Sequence, residues 1–202
     1  MLLPPASVAL DEIAAFGRYA AGRGWVPATS GNFSVRVDAR HAAVTRSGID
    51  KGAIVAEGIA VVAVDEPVPA GLSAETPLHL ARYRTDPSIG AVFHVHTVAS
   101  TVLSKLDAER GAVRTDGLEM HKAIGLRTHQ SIVEIPIFAN DQDTTALAER
   151  VEAQLGVDAP IPAFLLAGHG IYAWGATAAD ARRHIEGIEF LLTCHLEERR
   201  LR

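Results

Sequence analysis

Two short strings in this chain combine residue types and spacing that can do chemistry: His94-Val95-His96 and Gly168-His169-Gly170. At positions i and i+2 of an extended strand, the imidazoles of His94 and His96 point to one face, about 6.6 Å apart along the chain, while Val95 turns to the other. Two such nitrogens can share a divalent ion at zinc–nitrogen distances of about 2.0–2.1 Å. A His-x-His pair by itself is as readily two solvated or packed histidines. His169 alters that balance, because it lies between two glycines at the turn joining Phe164-Leu165-Leu166 to Ile171-Tyr172-Ala173-Trp174. An imidazole there can be aimed freely; the ordinary alternative is a turn histidine bonded to backbone. Three histidines with a fourth position left for water or substrate are a common catalytic zinc arrangement.

Two polar loops could serve an anionic substrate. Thr29-Ser30-Gly31-Asn32 precedes one predicted strand and Ser47-Gly48-Ile49-Asp50-Lys51-Gly52 follows another. Small residues let backbone N–H groups turn towards an anion, and the Ser, Asn and Lys side chains add donors. Either loop alone reads as an ordinary turn. Two glutamates could move protons beside a metal-held carbonyl: Glu75, at the start of a predicted helix, and Glu119, in Gly117-Leu118-Glu119-Met120-His121-Lys122. Capping or surface placement is the commoner fate of each. Of the nine histidines, His79 and His121 are expected in supporting or structural roles, His41 on a strand face, His129 near a strand entrance, and His184 and His195 on the last helix.

The elements that must position these groups alternate along the chain. Helical spacing covers Val8 to Ala21 and is stopped by Gly22-Arg23-Gly24. Strands are predicted at Phe33–Val37, His41–Thr45, Ile59–Val64, Ile89–His96, Ile132–Phe138, Ala163–Ala167 and Ile171–Trp174. Helices are predicted at Glu75–Arg84, at Val98–Leu106, from an Asp143 cap through Leu155, and from a Thr177-Ala178-Ala179-Asp180 capping box to about Glu198. Several neighbouring strands are joined by tight turns, so the expected fold is α/β with a mixed sheet flanked by helices.

Composition narrows the function classes. The chain has 202 residues, 48% hydrophobic and 21% charged, which suits one globular domain over residues 1–202 and excludes a disordered chain. A net charge of −5 gives nucleic acid no bulk electrostatic attraction. No apolar run approaches the roughly 18 residues of a membrane span, and the first residues lack a basic leader region. The lone cysteine, Cys194, excludes an intrachain disulfide and a cysteine-built zinc site; its helical setting predicts a small core residue. A cytoplasmic enzyme without membrane or nucleic-acid partners fits best.

In that order, Thr29-Ser30-Gly31-Asn32, Ser47-Gly48, Ser73-x-Glu75, His94-x-His96 and Gly168-His169-Gly170 resemble the class II aldolase/adducin superfamily over nearly the whole chain. More specific strings are Ala28 to Ser34, Ser47 to Lys51, Glu75-Thr76-Pro77-Leu78, Glu119-Met120 with Lys122, and Gly170 to Gly175. They are most similar to the branch that dehydrates a 5-methylthio ketopentose 1-phosphate in methionine salvage. The resemblance implies a three-layer fold, one zinc ion per subunit on His94, His96 and His169, and a homotetramer with sites near subunit contacts. It implies that Ser30, Gly31, Asn32, Ser47, Gly48, Lys51 and Ser73 hold or orient the phosphate, and that Glu119 and Glu75 share acid/base work. Leu118, Met120 and Phe138 are candidates to line a methylthio pocket. Ala74 stands where aldolases often carry a second serine, which speaks against aldol cleavage, and His121 stands where dehydratases can carry an aliphatic residue. Two rivals remain: a zinc-dependent sugar-phosphate aldolase, kept open by Glu75, and an adducin-like interaction domain, opposed by the retained histidines.

Overall fold

A computed structural model describes residues 6–201. Eight strands form one sheet: β1 (Asn32–Arg36), β2 (His41–Thr45), β3 (Ile59–Ala63), β4 (Ala91–Val95), β5 (Ala112–Thr115), β6 (Val133–Phe138), β7 (Ala163–Leu166) and β8 (Gly170–Gly175). Their order is β3-β2-β1-β4-β8-β7-β6-β5, with only the β6–β7 pair parallel. The helices are α1 (Ala6–Gly22), α2 (Thr76–Thr85), α3 (Val98–Leu106), α4 (Thr144–Leu155) and α5 (Ala178–Arg200). No helix among the described residues is long and apolar enough to cross a membrane.

Strand alternation divides the apolar residues between two layers. Phe33, Val35, Phe93 and Val95 face α1, α3 and α5, where they meet Ile13, Phe16, Leu103 and Ile188. Phe16 stacks on Phe93 at 3.9 Å between ring centres and meets Phe33 edge-on at 4.8 Å. The opposite face carries Val44, Val92, Phe164 and Tyr172 against Leu78 and Leu80 of α2 and Leu147 and Val151 of α4. The sheet is therefore a middle layer between two helical layers, as the mixed pattern implied. Each buried Leu, Ile or Phe contributes about 1.5–3 kcal/mol of apolar burial, so the central strands form a rigid base.

Local signals explain the boundaries. Pro77 in the first turn of α2 lacks only an N–H that the helix leaves unpaired. The Asp143 carboxylate accepts from Ala146 N, and Thr177 Oγ1 accepts from Asp180 N, which opens α4 and α5 at the predicted caps. Beyond three short 3-10 turns at Lys51–Ala53, Ala56–Gly58 and Ala108–Arg110, two elements were not foreseen. The short edge strand β5 is interrupted by the exposed Arg114 and gains its pattern only from pairing with β6. A 3-10 turn occupies Glu119–Ile124. Cys194 is only half-buried, because the core stripe of α5 runs through Leu191, Leu192 and Leu196.

Candidate metal centre

β4 delivers His94 and His96. His94 pairs across the sheet with Asn32 on β1 and Tyr172 on β8, so it lies on the α2 side with Val92. His96 follows the end of β4, where its backbone N–H donates to the Trp25 carbonyl at 2.8 Å. His169 occupies the β7–β8 turn. That turn is tied to α3 by two bonds: Thr101 Oγ1 donates to the His169 carbonyl at 2.7 Å, and Gly168 N–H donates to Ser104 Oγ at 3.0 Å. Gly170 is required by close approach, since a Cβ there would lie 2.4 Å from the Val95 carbonyl oxygen. Glu75 caps the N-terminus of α2 without using its side chain for the cap, which frees the carboxylate for the cluster.

One ligand atom from each of Glu75, His94, His96 and His169 lies within 4.8 Å of all the others. His94 Nε2 and His96 Nε2 are 2.8 Å apart. Glu75 Oε2 is 3.5 Å from His94 Nε2, and Oε1 is 3.1 Å from His169 Nε2. His94 is fully buried, and its Nδ1 donates to the Ile171 carbonyl at 3.0 Å. A carbonyl only accepts, so the Nε2 lone pair of neutral His94 points into the cluster. Burial, reinforced by repulsion from His96 and His169, holds the His94 pKa well below the usual histidine value. Burial and then His169 push His96 down to about 4. Both imidazoles are therefore neutral ligands at physiological pH. Three imidazole nitrogens and a carboxylate converging in this way fit zinc or another first-row divalent ion. The Tyr172 ring stacks on His94 at 4.0 Å, and its buried hydroxyl lies against the Glu75 carboxylate. Burial, then the charge of Glu75, raise the Tyr172 pKa well above its usual value, so this hydroxyl keeps its proton.

A cleft of about 140 Å³ opens beside the cluster and brings both polar loops together. Thr29, Ser30, Gly31 and Asn32 line one side, Ser47, Gly48 and Lys51 another, with Ser73, Glu75 and His96 also contributing. Ala28 and Thr29 have positive φ angles of 54° and 63°, a conformation uncommon for residues with a Cβ. Ser30 Oγ is buried without a partner. Lys51 is buried, and its Nζ donates to the carbonyls of Thr29 at 2.9 Å and Ile49 at 3.0 Å, leaving one of its three donors. Burial lowers its pKa despite nearby Asp50. Asn32 belongs to the cleft wall, but its amide is already engaged with Glu75, Ser73 and His79. Sequence reasoning missed Arg46, which also lines the cleft. The available signal was a basic residue directly before Ser47-Gly48 at the end of β2.

Glu119 lies elsewhere. It opens the 3-10 turn with its side chain 67% exposed, bonded to Lys122 and 3.4 Å from His129 Nδ1. The Lys122 hydrogen bond holds its pKa below the usual carboxylate value. Within one chain it is neither in the four-residue cluster nor on the cleft wall. Nearby Met120 is exposed, Leu118 is half-buried against the core, and Phe138 is buried under α4 rather than facing the cluster. His121 is buried with its ring 3.0 Å from Thr115 Oγ1, a structural placement.

Residues 11–196 match the family model of the Class II Aldolase and Adducin N-terminal domain. The chain belongs to this class II aldolase family. Its relatives include a methylthioribulose-1-phosphate dehydratase of Bradyrhizobium sp. strain BTAi1, 49% identical over 200 residues that cover 95% of this chain and 92% of the relative. Another protein of that name, from Parvibaculum lavamentivorans, is 49% identical over 191 residues and 94% of each chain. Among class II aldolase folds, the crystal structure of L-fuculose-1-phosphate aldolase from Thermus thermophilus matches with a TM-score of 0.75 at 26% identity, over 94% of each chain.

Proposed function

We propose that this chain is a metal-dependent lyase that dehydrates 5-methylthioribulose 1-phosphate to 2,3-diketo-5-methylthiopentyl 1-phosphate, in the cytoplasm, as a step of methionine salvage. The observation that carries this reading is near-half identity, over almost the full length, to methylthioribulose-1-phosphate dehydratases in a chain whose histidine–glutamate cluster is intact.

His94, His96 and His169 would hold the ion, zinc in this reading, with the Glu75 carboxylate within the donor set. When bound, the ion supplies Lewis acidity that makes the proton at C3 of the ketose removable. The phosphate is assigned to the cleft lined by Ser30, Gly31, Asn32, Arg46, Ser47, Gly48, Lys51 and Ser73, where the remaining Lys51 N–H and the backbone of the small residues would supply donors. Glu119, ionised beside Lys122, takes the C3 proton. The C3–H electron pair forms the C3=C4 bond, the C4–O bond breaks, and the departing hydroxyl leaves as water with the proton that Glu119 returns. Protonation at C4, with release of the C3 hydroxyl proton to solvent, then converts the enol to the diketone. Because Glu119 is exposed on its own chain, we infer that it acts across a subunit contact, and the assembly proposed is a homotetramer.

Aldol cleavage is the second reading, favoured by Glu75 standing in the cluster. Ala74 and the lower identity to the fuculose phosphate aldolase weigh against it. NMR of the products from metal-loaded protein and 5-methylthioribulose 1-phosphate separates the two. Diketone or its enol, with phosphate and carbon chain intact, is expected; dihydroxyacetone phosphate with an aldehyde would replace the dehydratase reading by the aldolase one.

A further inference from the structure

A buried line of polar side chains runs from the interior under α2 to the metal cluster, and the proposed mechanism uses only its last two members, Asn32 and Glu75. Tyr83 hydroxyl lies 2.9 Å from Ser34 Oγ, Ser34 Oγ lies 2.7 Å from His79 Nδ1, His79 Nε2 lies 2.5 Å from Asn32 Oδ1, and Asn32 Nδ2 lies 2.5 Å from Glu75 Oε2. Tyr83, Ser34 and His79 are all within 1% of full burial, and Asn32 is 2% exposed. Water therefore has little part in orienting them.

The direction of every bond follows from the cluster end. An ionised carboxylate only accepts, so the Asn32 group facing Glu75 must be its NH₂, whose other hydrogen reaches Ser73 Oγ at 3.2 Å. Asn32 Oδ1 then faces His79 and accepts, which requires the proton of His79 to sit on Nε2. His79 Nδ1 is left as an acceptor for the Ser34 hydroxyl, and Ser34 Oγ accepts from Tyr83. Each donor points towards Glu75. Reversing one member reverses the others, so a flip of the Asn32 amide would set its carbonyl against the Glu75 carboxylate and force His79 into its other tautomer.

We propose that His79 is a positioning residue: through the amide of Asn32 it fixes the Glu75 carboxylate in the donor set of the metal centre. His79 meets Tyr172 edge-on at 5.7 Å between ring centres and is not one of the four residues of the cluster, so it can act on the centre only through its neighbours. The proposal rests on the metal-centre reading but not on the identity of the substrate.

Its test uses Co²⁺ as the probe, with binding followed by chelator competition and the visible spectrum reporting ligand geometry. H79L removes the donor to Asn32. H79Q keeps a side-chain N–H close to the Nε2 position and guards against loss of fold. Outer partners of metal ligands change affinity by about 10–100-fold, so H79L is expected to weaken Co²⁺ binding by that factor and shift the spectrum, with H79Q close to wild type. In an N32A background, H79L should add almost nothing, because the path it acts through is already cut. Wild-type Co²⁺ affinity in folded H79L, or an equal loss caused by H79L with and without Asn32, would overturn the proposal. If the wild-type protein bound no Co²⁺, the metal centre itself would fall and the proposal with it. Protein that binds Co²⁺ and loses affinity as expected, but yields aldolase products, would keep the relay and replace only the dehydratase reading.

Discussion

The histidine cluster and the Glu119 turn are built in opposite ways. His94 sits at the end of a central strand with both neighbours paired, and its two ring nitrogens are committed to a carbonyl and to the cluster. Behind Glu75 the line of Asn32, His79, Ser34 and Tyr83 is buried and bonded throughout. Glu119 sits on a short 3-10 turn, with two exposed partners and no buried bond to its carboxylate. Binding an ion rewards rigidity, because ligands already held in place lose little entropy on binding. A proton carrier needs only to reach the substrate in the right protonation state. On the proposed function, one chain would complete the metal half of the chemistry and present the proton-transfer half on its surface.

The largest effect that would sharpen this contrast is His94→Ala. It is expected to abolish stoichiometric metal binding, read by elemental analysis, and to lower turnover by on the order of 10³-fold or more; full metal occupancy would remove His94 from the ligand set. Glu119→Gln comes next. It should leave metal content and melting temperature unchanged while lowering kcat by about 10²–10⁴-fold, the usual range for a lost general acid or base. A variant that turned over normally would end the role given to Glu119. Lys51→Met keeps the buried stem and removes the charge. A charge-assisted hydrogen bond contributes about 1.5–3 kcal/mol, so KM should rise by roughly 10–100-fold with a smaller change in kcat, measured by steady-state kinetics.

The smallest effect concerns acid stability. Burial lowers the His79 pKa from its ordinary value of 6.5 to about 3. Between those values the unfolded chain binds a proton that the folded chain does not, so stability falls as pH drops below 6.5. The slope is about 1.4 kcal/mol per pH unit for such a histidine. Metal-free protein should therefore melt a few degrees lower at about pH 5.5 than at about pH 6.5, and His79→Gln should reduce that difference. Exposed Glu119 should not contribute, so an unchanged slope in Glu119→Gln and a reduced one in His79→Gln would separate the two regions.

What was legible in the sequence follows from the range of the interactions involved. His94 and His96 could be placed because strand periodicity puts i and i+2 on one face, and His169 because glycines bracket it. The caps at Asp143 and Thr177 are local and were read correctly. The link from His79 to Glu75 was not legible, because it passes through Asn32, whose position depends on pairing β1 with β4 and on packing α2 over both. Strand β5 was missed for a related reason: its pattern is too short to stand without β6. Arg46 reaches the cleft through a turn whose path is set by the bridge from Arg46 to Leu72. Glu119 could be picked out by its string, but no local pattern indicates that its turn would face away from the cluster.

The most direct test of the division between the two halves is subunit mixing of His94→Ala with Glu119→Gln, each inactive alone. If Glu119 serves a cluster on another chain, co-refolded one-to-one mixtures should regain about a quarter of wild-type activity, since random assembly pairs an intact cluster with an intact glutamate at that frequency. If mixtures containing both chains in one assembly stay inactive, Glu119 works within its own chain or not at all, and the account is wrong.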